Sequence, residues 1–160
     1  MFDDSFAAQL SKWNKNNSLK TLGFNRGVER ETLRVTTNGS LSKLPHPSGL
    51  GSALTNSYIT TDFAESLIEL VTPKFGSVDS LYSCLEDLHV FTAHNIDKNK
   101  CLCAYSMPCK RTDEADINIA EYGSNDSGML KHIYRKGLKV RYGSIMQCVS
   151  GIHYNFSIDD

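Results

Sequence analysis

Apolar residues recur along this chain with two different periods, and the switches between them outline the elements. From residue 4 to 15, Phe6, Ala7, Leu10 and Trp13 fall on one helical stripe, and "NKNNSLK" ends it. The stretch "GVERETLRV", residues 27 to 35, alternates as a strand and runs into a turn centred on Asn38-Gly39. "LPHPSGLGSAL" carries prolines and glycines and predicts an irregular loop, either a substrate flap or a plain connection. "LIELVT" ends in β-branched residues and meets Pro73, as a strand stopping before proline does. Ser77 caps a helix on which Val78, Leu81, Leu85, Leu88 and Thr92 recur, with Asp79 in the first turn. After a polar loop at 110–118, residues 128–141 predict another helix with Met129, Leu130, Ile133, Tyr134 and Leu138 inward. "IMQCVSGIHYNFSI" alternates for more than ten residues and predicts one long strand. A strand so late in the chain lacks neighbours, so an incomplete domain is expected.

The same alternation sorts the carboxylates. In the first strand Val28, Arg30, Thr32 and Arg34 point one way, and Glu29, Glu31, Leu33 and Val35 the other. In the second, Glu69 shares a face with Leu67 and Val71. Asp62 is able to approach the same site whether its segment is helical or extended. Glu65 receives no role and is expected at the surface or behind the site. In the last segment Gln147, Val149, Gly151, His153, Asn155 and Ser157 form a polar face, with Met146, Cys148, Ile152, Tyr154, Phe156 and Ile158 as a core-like one. Withdrawn carboxylates are costly alone, so either arginines pair with them or metal ions do. Several carboxylates with one imidazole and no thiolate favour magnesium or manganese over zinc.

Composition narrows the classes. With 17 basic and 18 acidic residues there is no basic stripe of the kind nucleic-acid binders carry. Lys98, Lys100, Lys110 and Arg111 read as solvated surface. No apolar run approaches the roughly 18 residues a membrane helix needs, and the acidic N-terminus is no signal peptide. A cytoplasmic protein is expected, with Cys84, Cys101, Cys103, Cys109 and Cys148 as free thiols. Magnesium held by carboxylates usually implies phosphates, yet no Walker, GxGxxG or protein-kinase signature is present.

Six strings, "GVERETLRV", "HPSGLGSALT", "ITTDFAESLIELVTP", "SMPC", "YRKGLKVRYG" and "SGIHYNFSI", together resemble the proteobacterial glutamate–cysteine ligase family, also called gamma-glutamylcysteine synthetase. The resemblance implies an α+β fold, a curved and mainly antiparallel sheet with helices outside, as in glutamine synthetase. Residues 1–160 would be the N-terminal part of one catalytic domain, needing the missing C-terminal part of the ligase. It implies ATP- and magnesium-dependent joining of L-glutamate to L-cysteine, with manganese as a substitute metal. Glu29, Glu31, Asp62, Glu69 and His153 would hold the metal ions and form the catalytic set. Phe63, Tyr134, Leu138 and Gln147 would line a cysteine pocket, with Arg135 as a charge partner for substrate. Against this stand a non-catalytic metal-binding or assembly fragment of a split ligase and a ligase with another acceptor amine. The chain departs from the family in "EYGSNDSG", where Glu121 replaces an amide and Asn125-Asp126 shifts a Ser-Asn pair.

Overall fold

A computed structural model describes residues 4–15, 23–109 and 112–158. Expectations for Asn16 to Lys20, Lys110 and Arg111 and for the Trp13 side chain lie outside the described residues. The organising element is β1 (Phe24–Thr36), far longer than β2 (Ile59–Thr61), β3 (Leu67–Val71), β4 (Lys100–Leu102) or β5 (Ile152–Ile158). Its length lets it pair with three strands at once. Glu29–Leu33 face Val71–Leu67 of β3; Phe24–Arg30 face Ile158–Ile152 of β5; Arg34–Thr36 face Leu102–Lys100 of β4. β2 adds to the far side of β3, and every pairing is antiparallel. The helices are α1 (Asp4–Lys15), α2 (Val78–Asn95) and α3 (Asp126–Tyr142). This is the expected α+β class, an antiparallel sheet flanked by helices.

Alternation along β1 and β3 builds two cores. Leu33, Val35 and Leu67 on the acid side join Phe63, Ala64, Ile117 and Cys148, with Leu138 of α3 against them. Ile59, Ile68 and Leu70 on the other side meet Leu85 and Leu88 of α2. The Ser77 hydroxyl accepts from the Ser80 amide and starts α2 as its sequence foretells, although Val78 is exposed. The "LPHPSGLGSAL" loop is tied down rather than free. Its Leu50 enters the second core, and Ala53 accepts a hydrogen bond from Thr60.

Several expectations fail. The long final strand is two pieces, a 3-10 turn at Met146–Cys148 and β5 at Ile152–Ile158. Glu114 causes the break, because its carboxylate accepts the Ser144 and Ile145 amides at 2.7–3.0 Å and bends the chain after α3. Met129, Leu130, Ile133 and Tyr134 are exposed, and only Leu138 packs inward of the expected α3 stripe. Ile152, Tyr154, Phe156 and Ile158, core-like by alternation, are all more than half exposed. Phe6 and Leu10 of α1 are exposed as well. Among the described residues, then, the β3 flank is sealed by α2 and the β5 flank is bare.

Candidate active site

The acid face is built by strand register. Glu31 on β1 lies directly opposite Glu69 on β3, and Glu29 lies directly opposite His153 on β5. Two-residue periodicity keeps all of them on one side of the sheet. The Asp62 backbone sits at the turn between β2 and β3, where its amide closes the hairpin onto Leu67 O at 3.1 Å.

Each donor is then oriented locally. Glu29 accepts from Asn155 Nδ2 at 2.8 Å and meets His153 Nδ1 at 3.2 Å. Glu31 Oε2 accepts the Gly151 amide at 2.7 Å, while the Glu31 amide donates to Gly151 O at 3.0 Å. Gly151 leaves room here. A Cβ on it would stand 2.9 Å from His153 Nε2 and 3.4 Å from Glu31 Oε2. The register thus sets the pairs, and one bare backbone residue leaves room for the ring.

Arginine pairing, the structural explanation for these acids, does not operate. No Lys or Arg ion pair reaches Glu29, Glu31, Asp62 or Glu69 among the described residues. The arginines interleaved in "GVERETLRV" bind carbonyls instead: Arg30 donates to Glu31 O, and Arg34 donates to Leu44 O and Glu65 O. The acids therefore act on one another. Burial first, then Asp62, Glu31 and Glu29, push Glu69 up to about 7, with His153 opposing. Burial also raises Asp62, against the pull of Arg135. The hydrogen bond to Glu29 raises His153, helped by Glu31.

The remaining expected residues group around Asp62. Arg135 Nε donates to Asp62 O, and its guanidinium lies 4.7 Å from the Tyr122 ring centroid. The Tyr122 hydroxyl in turn reaches Thr61 O at 2.7 Å and Asp62 O at 2.9 Å. Phe63 is fully buried in the cluster on which the half-buried Leu138 packs. Tyr134 is 62% exposed, and Gln147 sits in the 3-10 turn rather than on the strand face of His153. Sequence reasoning misses Gly151 and Tyr122. The dyad period that selects His153 also selects Gly151, which offers no functional group to draw notice.

Of the two places expected for Glu65, the surface is not the one it takes. It is buried, 8% exposed, and its two oxygens accept the His46 amide at 2.7 Å and the Glu121 amide at 2.6 Å. It clamps two loops together. Glu121 itself is exposed.

A glutamate–cysteine ligase family model matches residues 8–160. The chain belongs to the glutamate–cysteine ligase family. The ligase of Aliivibrio fischeri (strain MJ11) is 52% identical over 153 residues, covering 95% of this chain and 29% of that protein. The solved ligase from Francisella tularensis in complex with AMP superposes with a TM-score of 0.85 at 48% identity, over 87% of this chain and 28% of that one. A bifunctional glutathione synthetase from Pasteurella multocida follows with a TM-score of 0.81 at 31% identity, over 94% of this chain and 19% of that one. The chain thus spans less than a third of the length of these ligase family relatives. No described helix is long and apolar enough to cross a membrane.

Does the acid face suit a divalent cation? In kind it does: carboxylates without lysine or arginine ion-pair partners, one of them holding its proton to about 7, are the donor set that a hard cation relieves. In geometry no three His, Cys, Asp or Glu among the described residues close on a common point.

Proposed function

We propose that this chain is the N-terminal part of a single catalytic domain that joins the gamma-carboxylate of L-glutamate to the amine of L-cysteine, with ATP as co-substrate. Glu29, Glu31, Asp62, Glu69 and His153 would hold magnesium, or manganese in its place. A bound cation supplies charge to phosphoryl and carbonyl oxygens as they become more negative. The observation that carries the reading is the set of acids facing one another across β1 and β3 without an arginine, in a chain of this family.

Within the reaction, the gamma-carboxylate would attack the terminal phosphorus of ATP and expel ADP, and the cysteine amine would then displace phosphate from the acyl phosphate and lose a proton. This chain's residues contribute position and charge. Asn155 and His153 fix Glu29, Gly151 fixes Glu31, and Arg135 with Tyr122 fixes the backbone at Asp62. Tyr134, exposed on α3, and Gln147 would face the cysteine together with Arg135, while Phe63 and Leu138 would form the floor behind them.

The bare apolar side of β5 favours a second component to the reading: the chain works only with the rest of the ligase against it. Alone, residues 1–160 would bind the cation and turn nothing over. Joined to the remaining length of the Aliivibrio fischeri ligase, the segment is expected to yield gamma-glutamylcysteine by mass spectrometry. Preference for ammonia over cysteine, both saturating, would reject the cysteine assignment.

A further inference from the structure

A second group of metal-ligating side chains stands outside the acid set, on the segment that follows β4. Cys101 of β4 lies directly opposite Val35 of β1. The Cys103 amide donates to Leu33 O at 2.8 Å and carries that pairing further along β1. Two-residue periodicity therefore puts Cys103 on the side of Leu33 and Val35, where it packs against the first core. The chain then turns through "AYSMP" and brings Cys109 onto the same core. The turn is pinned along its length. Cys103 O accepts from Thr32 Oγ1 at 2.9 Å, Ser106 O from the Ser150 amide at 2.7 Å, and Cys109 O from the Thr112 amide at 3.0 Å. Two half-buried thiols are thus positioned by the sheet rather than carried on a free loop.

Cys103 and Cys109 share the wall of a cavity of about 450 Å3 with Tyr105, Ser106, Met107 and Pro108. Its side-chain donors are two thiols, a thioether and two hydroxyls, with neither imidazole nor carboxylate among them. Both cysteines are free, and they act on one another. Burial first, then the charge of Cys103 and a hydrogen bond with it, hold the Cys109 thiol above its ordinary range, and Cys101 adds by charge. The donors select the ion. Structural zinc wants a closed tetrahedral shell, and no third His, Cys, Asp or Glu closes on this pair among the described residues. Magnesium and manganese take oxygen. Thiolate and thioether sulfur suit Cu(I), which is satisfied by fewer donors.

We propose that Cys103 and Cys109, with the Met107 thioether beside them, form a binding site for a soft monovalent cation, Cu(I). Loading exchanges the two thiol protons for one cation. Each S–H bond breaks, a sulfur–copper bond forms in its place, both protons pass to solvent, and no electron is transferred. Met107, exposed on the solvent side of the pair, adds a neutral and adaptable third donor. Pro108 fixes the backbone between the thioether and the second thiol. The site takes a different metal from the acid face by a different chemistry, and neither needs the other.

The reduced 160-residue chain, kept free of oxygen, is titrated with Cu(I) in competition with the chromophoric chelator bicinchoninate. One tightly held Cu(I) per chain is expected, with thiolate-to-copper absorption in the near ultraviolet. Cys103→Ser and Cys109→Ser should each weaken binding about a hundredfold, and Met107→Leu about threefold. Glu69→Gln, at the acid face, should leave Cu(I) binding as it is. A footprint on the parent chain needs no variant. With Cu(I) bound, Cys103 and Cys109 should resist iodoacetamide, while Cys84 on α2 reacts as it does in the metal-free chain. Alkylation of both residues undiminished by Cu(I) overturns the site, and so does tight binding retained in both serine variants. Equal protection by Zn2+ overturns the assignment to a soft monovalent ion. A comparable loss of Cu(I) in Glu69→Gln would place the ion among the acids and overturn the site as well.

Discussion

Glu65, in the turn between β2 and β3, and Glu69, four residues on in β3, are both drawn out of solvent in the same apolar run. Their surroundings differ in one respect. Glu65 is saturated by backbone amides from two loops. Glu69 faces Glu31 across the register and is pressed by Asp62 and Glu29 as well. A withdrawn acid with full hydrogen bonding is a structural part. One left against other acids costs stability in the metal-free protein, and that cost is what the proposed cation would relieve.

The sharpest way to break this contrast is to remove each carboxylate in turn. Glu65→Ala strands the His46 and Glu121 amides without their acceptor, which should cost about 3 kcal/mol in chemical denaturation. Glu69→Gln should leave the metal-free chain as stable as before or more so. A loss of similar size in both variants would erase the distinction.

The same pair should separate in the opposite order when a cation is titrated. Followed by Mn2+ electron paramagnetic resonance, Glu69→Gln and Glu31→Gln should each weaken binding by about tenfold or more, because ligand charge sets affinity for a hard cation. Glu65→Gln, which keeps one acceptor oxygen, should bind as the parent does. Equal binding in all three variants would return Glu69 to a structural role.

Much of this contrast is legible in the sequence, and the limits have physical causes. β1 and β3 show a dyad period, so alternation alone assigns the acids to one face. α2 is legible from its cap and its spacing. What alternation cannot report is which partner a side chain finds. Arg30 and Arg34 stand beside the acids in sequence, yet they are spent on carbonyls. Nor does the dyad period distinguish a strand from a turn held by a distant acid, which is why Glu114 splits residues 146–158 without a local signal. Apolar faces mislead in a third way. Tyr154 and Phe156 have the character of core residues, yet both are more than half exposed, with the Phe24 ring stacked on that of Phe156.

Acidity offers a smaller and more distributed test. Glu69 holds its proton up to about 7, so the folded chain binds protons that the unfolded chain has released above about 4.5. The stabilising contribution is complete below that lower value and is lost as pH rises through about 7. Raised Asp62 and raised His153 carry the same sign: the folded state holds their protons longer, and stability again falls as pH rises. The metal-free chain should therefore lose stability between pH 5 and 8, by about 1 kcal/mol after allowance for solvent screening. Glu69→Gln should flatten part of the slope and leave the share belonging to Asp62 and His153. Glu114 and Asp116 are lowered and titrate below this window, so they do not obscure it. A parent whose stability rises over the same range would contradict the mutual repulsion assigned to the acid face.

The smallest effect is expected from a residue with no functional group. Gly151→Ala places a methyl 2.9 Å from His153 Nε2 and 3.4 Å from Glu31 Oε2. The imidazole is the end of an exposed side chain, so it should swing aside at a folding cost below about 1 kcal/mol. In moving it surrenders the 3.2 Å contact between Nδ1 and Glu29, and Mn2+ affinity should fall about threefold. A double-mutant cycle decides whether the ring carries that loss. Once His153→Ala has removed it, adding Gly151→Ala should weaken Mn2+ little further. If the two losses simply add, the methyl acts through Glu31 instead, and the backbone hydrogen bond from Gly151 to Glu31 is the contact that matters.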